Sequence, residues 1–217
     1  MCNLYSITSS QAAIRQLVRA MRDLTGNLPP LPAVFPDRMA PVVRVAPDGV
    51  RELVMMRWGF PPPPHLGSKQ PVTNVRNTNS NWWKPWLKPE QRCLVPANSF
   101  CEPDNRGPKS VPTWFATDET RPMFFFAGIW RPWTGARGTK AHPAEGEHLL
   151  FSFLTTEPNA VVAPVHPKAM PVLLLTEADR ETWLTGSPEA ALALQRPAPD
   201  QVLRVVAKGA KEDQCPT

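Results

Sequence analysis

Features that would assign a chain to a membrane or to the secretory pathway are absent from this sequence. No run of about 18 apolar residues occurs in the 217 residues, so no transmembrane helix is predicted. The first ten residues, MCNLYSITSS, contain neither a basic region nor an apolar stretch, and this excludes the pattern of a secretory signal peptide. We therefore expect a cytoplasmic protein with no membrane partner.

The spacing of metal ligands is absent as well. The cysteines and histidines stand at Cys2, Cys93, Cys101 and Cys215, and at His65, His142, His148 and His166. No two cysteines form a C-x-x-C pair, and the histidines show no zinc-site spacing. Four cysteines in a chain of this length do not indicate a disulfide framework. We expect no metal and no cofactor.

Proline, in contrast, is abundant, with 28 residues, more than twice its usual share of about 5%. Because proline fixes φ and removes a hydrogen-bond donor, we expect short strands and rigid loops rather than long helices. The length of 217 residues predicts one domain over 1–217, with a loose polar tail from about residue 209.

Positive charge is concentrated in the middle of the chain. The formal net charge is +5, and the segment 57–140 alone holds 12 basic and 5 acidic residues. Such a segment is typical of a surface that binds a polyanion, with nucleic acid as the first candidate. An ordinary soluble surface of a protein with a pI of 9.3 fits the same numbers.

Local patterns predict mostly strands. Apolar residues at helical spacing predict a helix over 9–25, and Pro47-Asp48-Gly49 between two β-rich runs predicts a hairpin. Further strands are predicted at 92–100, 113–117, 122–130, 148–156, 171–175 and 201–207, with one helical turn near 82–87. Two short helices are predicted, one from Thr176 and Glu177 to Leu184 and one from Ser187 and Pro188 to Leu194. The fold class is α+β, a curved, barrel-like, mostly antiparallel sheet with peripheral helices.

Cys2 is the first residue with chemical potential. Removal of Met1 would leave an α-amine, with a pKa of about 7.7–8.0, beside a thiol, with a pKa of about 8.5, so both nucleophiles would be partly available at neutral pH. This 1,2-aminothiol condenses with an aldehyde, first to an imine and then to a five-membered thiazolidine. Covalent capture of an aldehyde is therefore one use. A cysteine at position 2 without any function is the alternative.

Two further residues are candidates for proton transfer. Glu102 lies at the end of an apolar strand, before Pro103, where burial would raise its pKa; a solvated strand-end glutamate is the alternative. His166 lies between Pro164 and Pro167 and two apolar runs, where it serves either as a proton shuttle or as a satisfied core histidine.

A third segment has the composition of a single-strand binding surface. Asn74 can fix an amine or a hydroxyl, and Arg76 can bind a phosphate. Trp82, Trp83 and Lys84 interleave aromatic and basic side chains, which suits base stacking and backbone contact. Tryptophans on the core side of a turn are the alternative, and we expect this for at least one of them.

The motifs form an ordered set. They are Cys2, Trp58-Gly59, Asn74 with Arg76, Arg92 to Pro96 running to Glu102, Ala127 to Trp130, Thr155 to Asn159, and His166 followed by Met170-Pro171. This set resembles the SRAP family, the SOS-response-associated peptidase or abasic-site-processing proteins, over residues 2 to about 184.

The resemblance implies an enzyme that forms a thiazolidine crosslink with abasic sites in single-stranded DNA and shields the lesion. Carried over by position, Cys2 is the nucleophile and Asn74 orients its amine and the opened sugar. Glu102 is the acid/base that opens the sugar ring, His166 assists proton transfer during Schiff-base formation and reversal, and Arg76 contacts phosphate. We expect a monomer that acts on single-stranded DNA.

The chain departs from the family pattern beside these groups. Asn3 and Leu4 follow Cys2, where many members have Gly-Arg. Asn77 and Thr78 stand where Ser-Glu is usual, and Cys101 and Pro103 flank the glutamate in place of Tyr and Trp. These changes affect DNA contacts and packing more than the four reacting groups. Two alternatives remain, a thiol peptidase or amidohydrolase that uses Cys2, and a non-catalytic module that binds single-stranded DNA.

Overall fold

The computed structural model describes residues 2–63 and 70–213, which form sixteen strands and three α-helices. Met1, His65, Cys215 and the end of the expected tail lie outside these ranges. The strands are β1 (Tyr5–Ile7), β2 (Arg22–Asp23), β3 (Leu31–Val34), β4 (Met39–Val45), β5 (Arg51–Trp58), β6 (Asn74–Val75), β7 (Arg92–Ala97), β8 (Ser99–Asp104), β9 (Val111–Ala116), β10 (Phe124–Thr134), β11 (Arg137–Gly138), β12 (Pro143–Ala144), β13 (Glu147–Thr156), β14 (Met170–Pro171), β15 (Leu173–Leu174) and β16 (Arg204–Lys208). The helices are α1 (Gln11–Val18), α2 (Glu177–Thr185) and α3 (Pro188–Leu192).

Five of these strands close into a barrel. β13, β10, β7, β4 and β5 pair in that order, each antiparallel to the next. A parallel contact between β5 and β13, at Arg57 with Leu150 and Trp58 with Phe151, closes the ring. The predicted curved, barrel-like and mostly antiparallel sheet with few peripheral helices is therefore confirmed. Closure removes two sheet edges that would otherwise be open to pairing with other chains.

Two glycines of the predicted motifs stand where any side chain would collide with a neighbouring residue. A Cβ on Gly128, in β10, would lie 2.7 Å from the Cys93 sulfur of β7. Gly59 has a φ of +113°, and a Cβ there would lie 2.6 Å from Pro71. Both positions need glycine for packing, so these two motifs specify the barrel itself rather than its chemistry.

A second, five-stranded antiparallel sheet lies beside the barrel, in the order β16, β9, β8, β1 and β3. It is joined to the barrel core by Tyr5 of β1, whose ring packs edge-on against three barrel aromatics. The centroid distances are 5.1 Å to Trp58, 5.6 Å to Phe126 and 6.1 Å to Phe153. Because Tyr5 is fully buried, this packing holds the strand that follows Cys2 against the barrel.

The predicted helix over 9–25 is wrong in its second half. The helix α1 ends at Val18, because Arg19 takes a left-handed conformation with φ of 53° and donates its N–H to the carbonyls of Arg15 and Gln16. Residues 22–23 form β2, parallel to β5. The apolar residues that extended the pattern, Leu17, Met21 and Leu24, are 40, 79 and 56% exposed, so they do not mark a buried helical face.

The predicted strand over 92–100 is divided into β7 and β8. Asn98 lies between them, and its side chain accepts hydrogen bonds from the N–H groups of Thr8 and Ser9 and donates one to the Arg121 carbonyl. The amide thereby fixes the point at which the chain leaves the barrel and enters the second sheet. β3 was not predicted, and 171–175 is interrupted between β14 and β15.

Predictions that rested on turn and cap residues are confirmed. The Pro47–Gly49 turn joins β4 to β5, with Gly49 at a φ of 79°. Thr176 forms a capping box with Asp179 at the start of α2, and Ser187 caps α3, which ends at Leu192 rather than Leu194. These signals are local, since each requires only a side chain and the backbone within three residues. In the described part of the chain, no helix has the length and apolar character needed to cross a membrane.

Residues 209–213, expected to begin a loose tail, are bound to the second sheet. The buried Asp213 accepts hydrogen bonds from Arg121 Nε, at 2.8 and 2.9 Å, and from the Ser99 hydroxyl, which also contacts the Ser6 hydroxyl at 2.7 Å. Ser6 and Ser99 are partners across β1 and β8. The segment therefore supports the two strands that lead to Cys2 and Glu102.

Replacing Asp213 with Asn should lower the free energy of unfolding by about 3 kcal/mol, because the buried Arg121 charge then lacks its carboxylate. Urea unfolding at neutral pH measures the change. The matched control is Glu212→Gln at the exposed neighbouring position, which should change stability by less than about 0.5 kcal/mol. Equal losses in both variants would show that the Asp213 carboxylate has no special role.

Candidate active site

The pairing of β1 with β8 brings the N-terminal segment beside Glu102. Tyr5 pairs with Phe100, and the Cys101 N–H donates to the Leu4 carbonyl at 2.9 Å. The Cys2 thiol donates to the same carbonyl at 3.5 Å. Cys2 is thus fixed next to the residue that precedes Glu102, and it is close enough for the Glu102 charge to act on the thiol.

The Glu102 carboxyl is fully buried. Neither of its oxygens has a hydrogen-bond partner among residues 2–63 and 70–213. Burial raises the pKa of Glu102 from 4.5 to about 7, because the ionised form is poorly solvated. The predicted burial and raised pKa agree with the structure, but the predicted strand end is wrong, because β8 continues through Pro103 to Asp104. A carboxyl with such a pKa can both give and accept a proton near neutral pH.

The Cys2 thiol is held in its neutral form. Burial raises its pKa well above 9, and the negative charge of Glu102 raises that pKa further. This direction belongs to the chain with Met1 attached, and the expectation of a partly ionised thiol after removal of Met1 stays a prediction. The value of a free cysteine does not apply to a sulfur that is almost completely buried beside a carboxyl.

His166 approaches Glu102 from the loop before β14. Its Nδ1 lies 2.9 Å from the Ala169 carbonyl oxygen and 3.3 Å from the Ala169 nitrogen, so the Ala169 backbone holds this side of the ring. Nε2 lies 3.9 Å from Glu102 Oε2, too far for a direct hydrogen bond. Burial lowers the pKa of His166, so a neutral imidazole faces the carboxyl.

Asn74 stands at the start of β6, beside Phe153 of β13. Its side chain is buried, and neither amide atom has a hydrogen-bond partner in the described chain. The preceding residue, Thr73, donates its hydroxyl to the Asn3 side chain at 3.2 Å. This bond ties the segment of Asn74 to the residue that follows Cys2.

A cleft of about 450 Å³ opens between these segments. Its lining includes Asn3, Leu4, Pro71, Thr73 and Cys101. The N-terminal segment that contains Cys2, the segment before Asn74 and the strand β8 that contains Glu102 all contribute to it. The cleft is mostly apolar, and it is lined by Asn3 next to Cys2 and by Cys101 and Pro103 on either side of Glu102. It offers space for a substrate part beside the buried groups.

The residues predicted to bind DNA differ in their placement. Arg76 is exposed and pairs with Glu157 at 2.7 Å. Lys84 is exposed and donates to Asn81, and Trp82 is half-buried. Trp83 is a correction, because it is buried against Phe60 at a centroid distance of 5.7 Å and offers no stacking face.

Two residues that contact the predicted DNA-binding segment could not be identified from the sequence. Arg131 lies over the Trp86 ring at 4.3 Å, and Gln195 bonds to the Arg76 carbonyl at 2.8 Å. Gln195 reaches Arg76 across 119 positions of the chain. Such contacts become visible only once the barrel has brought the segments together.

A family model described as SOS response associated peptidase (SRAP) matches residues 1–208. The chain belongs to the SRAP family. The resemblance that the ordered motifs carry is thereby confirmed. The resemblance had been placed on residues 2 to about 184, and the match extends it into β16.

Curated relatives of this SRAP chain include two proteins of Bacillus subtilis (strain 168). The abasic site processing protein YoqW is 29% identical over 135 residues, which are 59% of this chain and 55% of that protein. The abasic site processing protein YobE is 28% identical over 137 residues, which are 59% and 57% of the two chains. The matched part thus spans about half the length of these relatives.

Solved structures share the SRAP fold. A protein from Bordetella bronchiseptica has a TM-score of 0.73 and 24% identity, and the match covers 96% of this chain and 99% of that one. A protein from Bacteroides thetaiotaomicron has a TM-score of 0.71 and 20% identity, with 94% and 90% covered. At these identities the likeness concerns the fold alone.

Metal ligands do not gather in the part of the SRAP chain that the structure describes. Within residues 2–63 and 70–213, no group of three or more His, Cys, Asp or Glu side chains is arranged to hold an ion. The Cys2 thiol and the Glu102 carboxyl are neighbours, and the His166 imidazole lies 3.9 Å from that carboxyl, an arrangement that suits nucleophilic attack and proton transfer.

The raised pKa of Glu102 should make stability depend on pH. Below pH 4.5 the carboxyl is neutral whether folded or unfolded; between pH 4.5 and about 7 only the unfolded chain ionises, so the free energy of unfolding falls as pH rises. The Glu102→Gln variant has no carboxyl at this position, so its free energy of unfolding should not fall for this reason as pH rises. From pH 4.5 to above 7 the variant should gain up to about 3 kcal/mol relative to the parent protein.

Urea unfolding of both proteins at pH 4.5, 6, 7 and 8 measures this difference. The comparison uses only how the difference in stability between the two proteins changes with pH. The cost of burying an amide in place of a carboxyl does not depend on pH, so it cancels. Parallel stability curves over the whole range would mean that the pKa of Glu102 is not raised.

Proposed function

We propose that this SRAP protein processes abasic sites in single-stranded DNA by forming a thiazolidine link through Cys2 once Met1 has been removed. The observation that carries the proposal is a neutral, buried Cys2 thiol beside Glu102, a carboxyl with a pKa of about 7. The relatives named abasic site processing proteins support the same class of substrate.

The first step is the opening of the abasic sugar. The sugar exists mostly as a cyclic hemiacetal, and its aldehyde appears only when a proton leaves the anomeric hydroxyl and another reaches the ring oxygen. Glu102 can perform both transfers, since at neutral pH it is present in both protonation states. His166 Nε2 faces the carboxyl at 3.9 Å, and we propose that it exchanges a proton with Glu102 through the substrate or a bridging water.

The second step is the capture of the aldehyde. The Cys2 amine adds to the carbonyl carbon, a C=N bond replaces the C=O bond, and the oxygen leaves as water with both amine protons. The thiol then adds across C=N: the S–C bond forms, the S–H bond breaks, and the proton reaches the nitrogen through the Glu102 carboxylate. The products are a thiazolidine and one water, with no oxidant or metal required.

Asn74 and Arg76 hold the strand in place for these steps. The unpartnered amide of Asn74 is suited to bond the Cys2 amine or a hydroxyl of the opened sugar. Arg76, two residues further along, is suited to bind the neighbouring phosphate, and Lys84 and Trp82 extend this surface. All four reacting groups come from one chain, so we propose that a monomer suffices.

The neutral thiol favours this chemistry over a peptidase reaction. Attack on an amide requires the thiolate, which burial and the Glu102 charge disfavour at Cys2. Aldehyde capture begins with the amine, and the thiol is needed only after the reactive imine has formed. A non-catalytic binding module would require none of the buried groups around Cys2.

The test is incubation of the protein with single-stranded DNA that carries one abasic site, and with the same strand undamaged. Denaturing gels and peptide mass spectrometry then identify the products. A heat-stable adduct with the damaged strand alone, mapped to a peptide that begins at Cys2, is the expected result. Absence of any adduct from a protein confirmed to lack Met1 would rule out covalent capture.

Cys2→Ser separates the two bonds of the link. The variant keeps the α-amine, so an imine still forms, but no thiazolidine can close. We expect the heat-stable adduct to be lost and an adduct to appear mainly after borohydride reduction. The control is a variant that carries, directly after Met1, a residue that prevents removal of Met1. This variant lacks the free Cys2 amine and should form neither adduct. Normal crosslinking by the control would contradict the role of the amine.

Glu102→Gln removes the proton carrier while it preserves the size of the side chain. Crosslinking should slow by about 10²-fold or more, the usual contribution of a general acid–base group. Affinity for undamaged single-stranded DNA should stay within about twofold, since Glu102 is fully buried. Fluorescence anisotropy measures the affinity, and its collapse would assign Glu102 a structural role.

A further inference from the structure

The predicted phosphate-binding residue, Arg76, is occupied by a carboxylate of its own chain. Its guanidinium donates to Glu157 Oε2 at 2.7 Å, and the two side chains are 48 and 67% exposed. An isolated exposed pair of this kind contributes little to stability. Its position on the proposed DNA contact gives it a different significance, because a phosphate and Glu157 would compete for the same guanidinium.

The backbone on both sides of the pair is fixed by one side chain. Gln195 Nε2 donates to the Arg76 carbonyl at 2.8 Å and to the Thr155 carbonyl, two residues before Glu157, at 2.9 Å. Its Oε1 accepts from the Thr78 hydroxyl at 2.9 Å. The pair is therefore held in register by a fully bonded amide rather than formed by chance between two mobile side chains.

A small polar cavity of about 190 Å³ lies at this pair. Its lining consists of Arg76, Asn77, Thr78, Asn79, Thr156, Glu157 and Gln195. Hydroxyl and amide groups of this kind are ordinary donors to phosphate oxygens. Glu157 is the acidic member of the lining, and its charge opposes the entry of any phosphate.

We propose that Glu157 is a specificity-determining residue that competes with DNA phosphate for Arg76 and thereby weakens binding to undamaged single strands. The inference rests on the proposed function. On an undamaged strand, the phosphate must displace Glu157 in a bimolecular encounter. Once the neighbouring sugar is held at Cys2, the same phosphate stands at a high effective concentration and displaces Glu157 readily. The ion pair therefore weakens binding to undamaged DNA more than it weakens the hold on an abasic site that is already captured at Cys2.

The experiment is a double-mutant cycle on binding, with Glu157→Gln, Arg76→Gln and the double variant. Affinity for an undamaged oligonucleotide is measured by anisotropy at several salt concentrations. Glu157→Gln should bind about two- to fivefold more tightly, the range that one displaced exposed ion pair allows. Its salt dependence should steepen by about 0.7 in log–log slope, the value for one added phosphate contact on a single strand. In the Arg76→Gln background, the same substitution should give no gain.

Glu119→Gln is the matched control. Glu119 pairs with Arg204, at 3.2 Å and with exposures of 70 and 50%, so the substitution adds the same unit of net charge by opening a comparable pair. It should leave affinity unchanged. An equal gain in Glu119→Gln, or a gain from Glu157→Gln that persists without Arg76, would overturn the inference, as would no gain at all.

Crosslinking to abasic DNA, followed in the same set of proteins, separates this inference from the proposed function. Loss of the adduct from the parent protein and from Glu157→Gln alike would refute covalent capture. Normal crosslinking by both, together with identical affinities for undamaged DNA, would refute only the role of Glu157.

Discussion

The antiparallel pairing of β1 with β8 is the constraint on which the site depends. Cys2 and Glu102 are 100 positions apart, and this short pairing, with Tyr5 opposite Phe100, sets their distance. A shift of the register by one residue would exchange the two faces of β1 and take Tyr5 out of the barrel core. The aromatic packing of Tyr5 therefore specifies the register, and the register specifies the site. The Ser6, Ser99 and Asp213 contacts support the same pair of strands from the other side.

The site departs from the rule that buried polar groups find partners. The Glu102 oxygens and the Asn74 amide lack hydrogen bonds in the described chain, although both side chains are buried. Each such group lowers stability, since its hydration is lost without replacement. The fold offsets this cost elsewhere, through a closed barrel, a continuous aromatic core and a well-bonded second sheet. Other buried polar atoms of the described chain, such as the Tyr5 hydroxyl, also lack partners, so at Asn74 and Glu102 it is the chemistry of the side chains that suggests a substrate as the missing partner.

Sequence patterns predicted what depends on neighbouring residues, and they missed what depends on distant ones. The Pro47–Gly49 hairpin and the caps at Thr176 and Ser187 follow from local backbone chemistry. The helix over 9–25 failed because Met21 and Leu24 are exposed, and apolar spacing alone cannot show which face is buried. The four candidate catalytic residues were predicted from their chemistry and from the ordered motifs, and their roles stay predictions. The contacts that were missed join distant parts of the chain. Gln195 contacts Arg76 across 119 positions and Glu157 contacts Arg76 across 81 positions. Arg121 contacts Asp213, which lies in a segment that was expected to be loose.

Burial acts on both groups that meet at the site, and in the proposed function these two effects favour one order of bond formation. Burial raises the pKa of the Cys2 thiol, which favours the protonated sulfur and disfavours attack by the thiol as the first step. It also raises the pKa of Glu102 to about 7, so the carboxyl remains able to take a proton later. In the proposed reaction, attack by the α-amine comes first because it requires no thiolate. The protonated imine, which is more electrophilic than the aldehyde, then draws the thiol into reaction, and the thiol proton passes to a carboxyl already in place. A solvated site would lose this order, because an ionised thiol would react with aldehydes reversibly and without selection for the cyclic product.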